Sequence, residues 1–465
     1  MAAESEKTRI ERDSMGEMEV PADALWGAST QRAVLNFPVS GERFPPRFVR
    51  ALGIIKAAAA AANAELGKLD PEIAEAIQSA AREVADGVLD SHFVLDIFQT
   101  GSGTSTNMNA NEVIANRAAQ LYGAGGDRIH PKDNVNYAQS SNDVIPTALH
   151  IAARQAIHED LLPALRQLRD CLARKAQEFD DVVKVGRTHL MDAAPVRLGQ
   201  EFAGYARQIE LGISRVESAM EALAELALGG TAVGTGLNCP PEFPTLAIAR
   251  ISQVTGLEYR EAADHFEAQG GRDAAVETSG ALKTLAVSLY KIANDIRLLG
   301  SGPRCGLGEL ALPPLQPGSS MMPGKVNPVI CESVTQVSAQ VIGNDAAVTV
   351  GGLSGHLELN AFIPVIARNL LESIRLLANV SNLFVTKCLE GLEANRERAK
   401  SLIDGSLAMV TALAPVIGYD TDAQIAEESL STGRSVRELC LERKLVAPKE
   451  LERLLDPRSQ TQPRA

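Results

Sequence analysis

Apolar residues recur at every third or fourth position along three long stretches of the chain. The first stretch contains Phe202, Tyr205, Ile209, Ile213, Val216, Met220, Leu223 and Leu226. The second contains Leu282, Leu285, Leu289, Ile292, Ile296 and Leu299, and the third begins with Ile366, Leu370, Ile374 and Leu377. Such spacing places one apolar seam along each helix, as in a helix bundle or coiled coil. The pattern therefore predicts three long helices that pack along their seams.

Shorter helices are predicted before this bundle. Asp70 followed by Pro71 is a typical helix start, and Gly87 is a typical helix end. Residues 146–179 predict a further helix with a kink near Pro163, because proline lacks the N–H group that a helix interior needs. The proline-containing segment before these helices, roughly the first 45 residues, is interpreted as irregular or short-strand structure.

The length of the chain indicates more than one domain. At 465 residues it exceeds the usual size of a single hydrophobic core. We predict an all-α fold of three domains: a mainly helical N-terminal domain (1–143), a central long-helix bundle (144–363) and a small C-terminal helical domain (364–465). Long helices bury more surface on assembly than one chain supplies, so we also expect oligomerisation through the bundle.

Composition and charge exclude several classes of partner. The chain is 45% hydrophobic but only 4% aromatic, which favours helices packed on helices. Its net charge of −13 argues against non-specific binding to nucleic acid or to anionic membranes. The sequence has no apolar run of the roughly 18 residues that a bilayer span needs, and its charged N-terminus is unlike a signal peptide. We therefore predict a cytoplasmic protein with neither a nucleic-acid nor a membrane partner.

Four polar segments interrupt the apolar pattern with Gly, Ser, Thr and Asn and one or two charges. They lie at residues 99–107, 139–143, 186–190 and 318–328. Small residues leave backbone N–H groups accessible, and hydroxyl and amide side chains add further short donors. This inventory suits carboxylate groups that are held by many donors and one cation, rather than by a metal. The six widely spaced cysteines likewise show no metal-binding or cluster-binding motif.

Each polar segment also has an ordinary structural explanation when it is taken alone. Ser and Asn near a helix start, as at 139–143, are usually caps. A single histidine such as His189 is more often a hydrogen-bonded structural residue than a catalyst, and Lys325 is typical of a solvated loop tip. Four such segments on long apolar helices would nevertheless be costly to bury without a use. Together they favour a binding site.

In chain order, the four polar segments resemble the fumarase/aspartase superfamily, and the resemblance extends from about Asp13 to Asp456. The most specific match is Gly-Ser-Ser-Met-Met-Pro-Gly-Lys-Val-Asn-Pro at 318–328, which looks like the signature loop of the superfamily. Gln-Thr-Gly-Ser-Gly-Thr at 99–104, Ser141, Gly324 and Leu-Gly-Gly-Thr at 228–231 are similar to class II fumarases rather than to aspartate ammonia-lyases. The cysteine spacing does not resemble the iron–sulfur class I fumarases.

The resemblance implies a hydro-lyase of the citric acid cycle that interconverts fumarate and L-malate through an aci-carboxylate carbanion. It implies no cofactor and no metal. The catalytic residues that it implies are the base Ser319, the acid His189 and Glu332, which would orient His189. The implied substrate-binding residues are Ser102, Thr104, Ser140, Ser141, Asn142, Thr188, Ser320, Lys325 and Asn327.

The resemblance also implies an assembly. Relatives of this type form a homotetramer with a core of 20 helices, and each active site combines segments from three subunits. The small dicarboxylate substrate would then bind between chains. In this arrangement His189 and Ser319 of one site come from different subunits.

The sequence departs from the family pattern at a second, peripheral dicarboxylate site. His130, Lys132 and Asp133 stand where class II fumarases typically have His, Asn and Asp. Lys132 keeps such a site possible but puts its geometry and role in doubt. Smaller departures are Met191 and Met322, which replace a Gln and an Ile of many relatives.

Two other functions remain open from the residues alone. An aspartate ammonia-lyase would share the polar segments, but Ser141 and Gly324 argue against it. A non-catalytic structural protein is the other alternative, because the superfamily includes lens crystallins. The presence of Ser319, His189 and Lys325 favours an enzyme over that alternative.

Overall fold

The computed structural model describes residues 7–463, which are mainly helical, so the all-α prediction is confirmed. The elements of the first part of the chain are β1 (Thr8–Asp13), β2 (Gly16–Pro21), α1 (Ala28–Asn36), α2 (Pro46–Glu65), α3 (Pro71–Ala85), α4 (Thr104–Tyr122), α5 (Ser141–Ala156) and α6 (Leu162–Glu178). There follow β3 (Val183–Thr188), β4 (Met191–Arg197), α7 (Leu198–Ala222), β5 (Glu225–Leu226), α8 (Phe243–Thr255), β6 (Arg260–Glu261), α9 (His265–Gly270) and α10 (Asp273–Leu299).

The remaining elements start just before the fourth polar segment and run to the end of the described chain. They are β7 (Leu310–Ala311), α11 (Val329–Gly352), β8 (Gly355–His356), β9 (Leu359–Asn360), α12 (Ile363–Phe384), β10 (Glu393–Ala394), α13 (Arg396–Asp404), α14 (Ala414–Ile417), α15 (Tyr419–Thr432), α16 (Val436–Glu442) and α17 (Pro448–Leu454). The strands of the described chain form five two-stranded sheets, of which only the β5–β6 pair is parallel.

The three predicted long helices are confirmed as α7, α10 and α12, of 25, 27 and 22 residues. The first seam was extended too far, because α7 ends at Ala222, before Leu223, and Leu226 lies in β5. Their seams are buried, as at Phe202, Leu289 and Leu370, each with 0% of its surface exposed. A fourth long helix, α11, has 24 residues and was not predicted. Its sequence is apolar on several sides, so it shows no single stripe.

The described chain divides into two compact units. Unit 1 contains residues up to Pro163 together with Ser214–Ala286 and Ala339–Ala378, whereas unit 2 contains Ala164–Ile213, Val287–Ser338 and the residues from Asn379 onward. The divisions fall inside α6, α7, α10, α11 and α12. The three predicted domains, which divide the chain by sequence position, stay a prediction.

The local helix signals in the first part of the chain are confirmed. The Asp70 carboxylate accepts hydrogen bonds from the N–H groups of Glu72 (2.9 Å) and Ile73 (3.4 Å), so it caps α3. The predicted kink near Pro163 is a π-helical turn at Ile157–Leu161, between α5 and α6. Because Pro163 has no N–H group to donate back into the preceding turn, a widened turn costs less there than elsewhere.

The segment before α2 contains more structure than was predicted. The expected short strands are the β1–β2 hairpin, but helix α1 was missed. The Glu112 carboxylate, on α4, accepts hydrogen bonds from the N–H groups of Gly27, Ser29 and Thr30 at 2.9–3.1 Å. The first N–H groups of α1 are therefore satisfied by a residue more than 80 positions away.

No helix in residues 7–463 combines the length and the apolar character that a membrane crossing requires.

Candidate active site

The first and second polar segments meet in unit 1 at the starts of two helices. Thr104 is the first residue of α4 and Ser141 is the first residue of α5. Their hydroxyl oxygens lie 2.7 Å apart, and the Ser102 hydroxyl lies 2.7 Å from that of Thr104. Helix N-termini present unpaired N–H groups and a positive dipole end. This group of three hydroxyls therefore lies where a carboxylate would be well accommodated.

Gly103 makes the turn into α4 possible. Its φ of +71° lies in the left-handed region, which a residue with a side chain adopts at a cost. A Cβ atom at this position would also lie 2.7 Å from a methyl carbon of Ile145 on α5. The glycine therefore allows the two helix starts to approach each other closely.

The second polar segment is a helix cap, as its structural alternative predicted. The Ser140 hydroxyl accepts a hydrogen bond from Asn142 N–H (3.2 Å), and the Asp143 carboxylate accepts one from Ser140 N–H (2.9 Å). This capping box does not exclude a binding role, because Ser141 and the rest of Asn142 stay outside it. Asn142 donates its side-chain N–H to the carbonyl of Ala232 at 2.8 Å.

Asp143 also connects a further segment, Leu-Gly-Gly-Thr at 228–231, to this site. In the sequence, that segment served only as a mark of the resemblance, and the connection was not predicted. The second carboxylate oxygen of Asp143 accepts hydrogen bonds from Gly229 N–H (3.1 Å) and Thr231 N–H (3.0 Å), inside the Leu-Gly-Gly-Thr segment. Burial raises the pKa of Asp143, and the three backbone N–H groups act in the opposite direction. Asp143 is therefore a buried acceptor that holds residues 140–142 and 229–231 together.

The third polar segment is a β-hairpin in unit 2, with His189 at its tip. Thr188 pairs with Met191 in the register of β3 and β4, so His189 and Leu190 form a two-residue turn. Both have positive φ, at 55° and 64°, as a type I′ turn requires. Asn-Gly is the favoured pair for such turns, so His-Leu is a costly choice. Backbone strain of this kind is typical of functional positions, and His189 and Thr188 are exposed.

A buried group of four charges lies behind this hairpin tip. Arg187 on β3 donates two hydrogen bonds to the Glu309 carboxylate, at 2.7 and 3.2 Å. Lys184 lies 3.5 Å from the same carboxylate and 2.9 Å from that of Glu201. Glu309 has 0% of its side chain exposed. The arrangement fixes the strand that ends in Thr188 and His189.

The fourth polar segment is a loop that closes on itself in unit 2. Gly318 N–H donates to the carbonyl of Lys325 (2.8 Å), and the Asn327 side chain donates to the carbonyl of Gly318 (2.8 Å). A Cβ atom at Gly318 would lie 2.4 Å from the Lys325 carbonyl oxygen, so a glycine is required there. The loop and the residues directly before it, 314–319 and 322–326, line a cavity of about 420 Å³.

Ser319 accepts two backbone hydrogen bonds within this loop. Its hydroxyl oxygen accepts hydrogen bonds from the N–H groups of Met321 (3.1 Å) and Met322 (3.0 Å). Lys325 and Ser320 are exposed. Two N–H donors aimed at one hydroxyl oxygen favour negative charge on that oxygen.

Glu332 lies in the first turn of α11, directly after the loop, and is half-buried. In residues 7–463, no hydrogen bond or ion pair joins His189 to Glu332. The predicted residues Ser102, Thr104, Ser140, Ser141 and Asn142 belong to unit 1, and the loop residues Ser319, Ser320, Lys325 and Asn327 belong to unit 2. The predicted orienting contact between His189 and Glu332 is not made inside the chain.

The residues of the predicted peripheral site lie on a π-helical turn at Pro131–Val135. His130 Nδ1 accepts a hydrogen bond from Asp133 N–H (3.2 Å) and lies 3.0 Å from the Asp133 carboxylate. Lys132 and Asp133 are exposed. His130 therefore caps the turn, and the exposed Lys132 and Asp133 side chains follow it. In the part of the chain that the structure describes, no group of three or more His, Cys, Asp and Glu side chains is placed to hold a metal ion.

The chain is similar to known protein families and to individual proteins along most of its length. The family described as Lyase matches residues 16–343, and the family described as Fumarase C C-terminus matches residues 409–462. The class II fumarate hydratase of Corynebacterium efficiens is 56% identical over 452 residues, which cover 97% of this chain and 95% of that protein. The mitochondrial fumarate hydratase of Danio rerio is 52% identical, with coverage of 99% and 92%.

A solved structure is similar over the same extent. The crystal structure of a recombinant class II fumarase from Schistosoma mansoni has a TM-score of 0.95 to this chain at 38% sequence identity. The similarity covers 98% of this chain and 99% of that one. The resemblance inferred from the four polar segments is confirmed, and the chain belongs to the class II fumarate hydratases.

Proposed function

We propose that this protein catalyses the reversible hydration of fumarate to L-malate, in the citric acid cycle, with Ser319 as the base and His189 as the acid. The observation that carries this assignment is the environment of Ser319. Its hydroxyl oxygen accepts two backbone N–H groups, at 3.1 and 3.0 Å, in a loop that also contains the exposed Lys325. A serine hydroxyl is otherwise far too weak an acid to act as a base in this reaction.

Proton removal is the difficult step of malate dehydration. The proton lies next to a carboxylate, and the carbanion must spread its charge into that group as an aci-carboxylate dianion. The two N–H groups favour the Ser319 alkoxide that takes the proton. On the other face, His189 would protonate the departing hydroxyl group so that it leaves as water.

The dianion needs preorganised donors. Lys325 supplies a cation and Asn327 supplies an amide; one of the two Asn327 side-chain N–H bonds is used on the Gly318 carbonyl, and the other is left for substrate. One well-placed donor of this kind is worth about 3 kcal/mol of transition-state stabilisation. The second carboxylate would bind at the starts of α4 and α5, through Thr104 and Ser141. Ser102, Ser140, Asn142, Thr188 and Ser320 complete the proposed binding set.

We also propose a homotetramer whose active sites combine residues from three subunits. Helix α11 supports an assembly, because Ala339, Gly343, Ala346 and Val350 form an exposed seam along it at helical spacing. Further large apolar residues are exposed on the long helices: Leu211, Val287, Tyr290 and Ile342. An apolar surface of this kind is unfavourable on an isolated chain.

The helix count fits a core of 20 helices. The continuous helical segment from α5 through α6, together with α7, α10, α11 and α12, supplies five long helices in each chain. Four copies would supply 20. In such an assembly, Glu332 of one subunit would orient His189 of another, which accounts for the missing contact inside the chain. We place the enzyme in the cytoplasm, in keeping with its acidic composition and lack of a membrane-crossing helix in residues 7–463.

The activity is tested by following the absorbance of fumarate with L-malate or with L-aspartate as substrate. Fumarate should appear from L-malate and not from L-aspartate. Fumarate formation from L-aspartate would instead assign an ammonia-lyase, and turnover of neither substrate would favour a structural protein.

The shared site is tested with two inactive variants, His189→Asn and Ser319→Ala. They are unfolded together in equal amounts and refolded as mixed tetramers. A site works only when its histidine and its serine both come from chains in which they are intact, so about a quarter of wild-type activity should return. If the mixture stays inactive although mass spectrometry detects mixed tetramers, the two residues act within one chain.

A further inference from the structure

Lys56 is a buried cation in unit 1 that the proposed chemistry does not use. It lies on α2 with 0% of its surface exposed. Its ammonium group donates hydrogen bonds to the side-chain oxygens of Asn136 (2.9 Å) and Gln139 (3.0 Å). No carboxylate in residues 7–463 forms an ion pair with it, and Asp143 acts on it only at longer range. A buried ammonium group without an ion pair is costly, so the charge calls for an explanation.

The partners of Lys56 connect it to both substrate-binding segments of unit 1. The side-chain oxygen of Asn136 also accepts N–H groups from Asn107 (3.1 Å) and Asn111 (3.2 Å) on α4. Asn107 lies one helical turn after Thr104, and Gln139 directly precedes Ser140. Through Asn136 and Gln139, Lys56 therefore connects the start of α4 to the start of α5.

We propose that Lys56 is a positioning residue for these two segments and that its charge attracts the substrate carboxylate bound at Thr104 and Ser141. The inference deepens the proposed function and rests on it. The chain carries a net charge of −13, which repels a dicarboxylate. A buried cation offsets this repulsion locally, because salt and water screen its field less than that of a surface lysine.

The titration of Lys56 supports the same role. Burial lowers the pKa of Lys56 to about 7, and Asp143 on α5 acts in the opposite direction. The other side chains that face the ammonium group are the neutral amides of Asn136 and Gln139. A bound carboxylate favours the protonated form of Lys56. The affinity for a dicarboxylate should therefore be highest below pH 7 and should fall as the pH rises through 7.

Two variants remove the charge in different ways. Lys56→Gln keeps a hydrogen-bond donor but no charge. Gln139→Glu keeps Lys56 and neutralises it with a carboxylate of the same size, but it loses the hydrogen bonds that the Gln139 amide donates to the carbonyls of Val135 and Tyr137. Two opposite charges about 10 Å apart at an effective dielectric constant of about 20 attract each other enough to change binding roughly tenfold. We expect each variant to weaken the binding of succinate, an unreactive dicarboxylate, and to raise KM for fumarate by about that factor, with a smaller change in kcat.

The control is Lys175→Gln in unit 2. Lys175 is also buried, with 8% exposed, and donates to the carbonyl of Leu392 at 2.8 Å; unlike Lys56, it also pairs with the Glu178 carboxylate at 2.9 Å. This variant loses a buried cation away from the polar segments, so succinate binding should not change. Calorimetric titration of the full-length proteins gives the dissociation constants, and thermal unfolding shows that each variant is folded.

The outcomes separate this inference from the proposed function. If a folded Lys56→Gln protein binds succinate as tightly as the wild-type protein does, the proposed role of Lys56 is wrong. If that variant does not fold, the same comparison is made with Gln139→Glu. Should neither fold, the wild-type protein decides, because succinate affinity that does not fall between pH 6.5 and 8.5 contradicts the inference. Absence of fumarate hydration by the wild-type protein would instead remove the proposed function, while succinate binding still reports on Lys56.

Discussion

Glu309→Gln should both destabilise the protein and slow its chemistry. The Glu309 carboxylate has 0% of its side chain exposed and accepts two hydrogen bonds from Arg187, at 2.7 and 3.2 Å. Removing one partner of a buried ion pair costs about 3–5 kcal/mol. Lys184 keeps its second partner, Glu201, at 2.9 Å, and Arg187 is 13% exposed and thus partly hydrated. We therefore expect a loss at the lower end of this range, about 3 kcal/mol in the free energy of unfolding measured with urea.

The same substitution should affect kcat more than KM. Arg187 lies on β3, two residues before His189 in the turn that follows, so a loosened strand displaces the proposed acid. A displacement of about 1 Å can reduce a rate about 100-fold. In the proposed function, substrate binding depends mainly on Thr104, Ser141 and Lys325, which this change does not touch. Initial rates of fumarate hydration at several substrate concentrations separate the two constants.

A second carboxylate tests whether loss of an arginine pair by itself lowers kcat. Glu83 on α3 accepts two hydrogen bonds from Arg117, at 2.6 and 2.9 Å, but its side chain is 27% exposed, so its replacement should cost less stability. Because Glu83 lies outside the four polar segments, Glu83→Gln should leave kcat unchanged. Arg187→Lys keeps the charge but loses the paired hydrogen bonds, so it should lower kcat as well. If folded Glu309→Gln protein retains wild-type kcat, the four charges only stabilise the fold and our reasoning about His189 is wrong.

Three further predictions concern the proposed site. Ser319→Ala and His189→Asn should each lower kcat by orders of magnitude with an unchanged circular dichroism spectrum, and near-normal kcat in either would remove its assigned role. Exhaustive chelation should leave activity intact because N–H, hydroxyl and ammonium donors suffice to hold a dicarboxylate; a loss that added metal restores would contradict this. Replacement of His130 should barely change kcat, since Lys132 already departs from the family pattern; a loss like that of Ser319→Ala would mean that the two sites are confused.

The long helices could be predicted because their signal is local. Seam residues three or four positions apart identify α7, α10 and α12 without any knowledge of their neighbours. Helix α1 could not be found in this way, since its N-terminal cap is Glu112, far along the chain. Helix α11 was missed for the opposite reason: a helix that is apolar on several sides has no stripe to detect.

The hairpin that presents His189 was missed because its turn residues are unusual. A two-residue turn between strands is normally recognised by Asn-Gly or Asp-Gly. Here the turn is His189-Leu190, with both residues at positive φ. The sequence thus identified the residue but not its conformation. The conformation adds information, since a costly turn at this position supports the hypothesis that the side chain has a use.

The sequence identified the polar residues of the proposed site more readily than the charged residues that hold them. Asp143 could have been found, because Ser140 and Asp143 have the spacing of a capping box. Lys56 and Glu309 could not, since each contacts residues about 80 to 120 positions away and neither lies in a recognisable motif. Buried charges of this kind can be identified only when the three-dimensional positions of their partners are known.

The four polar segments differ in how they are held, and the difference fits their proposed roles. Asp143 and Lys56 fix the first two segments from behind, and Glu309 fixes the strand that leads to the third. In the described chain, the hydrogen bonds found for the loop at 318–328 run within the loop or to the first turn of α11. A segment tied only to itself opens at a lower free-energy cost than one anchored to the core. We infer that the first three segments are the rigidly placed ones, and that in the proposed function the loop that carries Ser319 and Lys325 is the part able to close over a bound dicarboxylate.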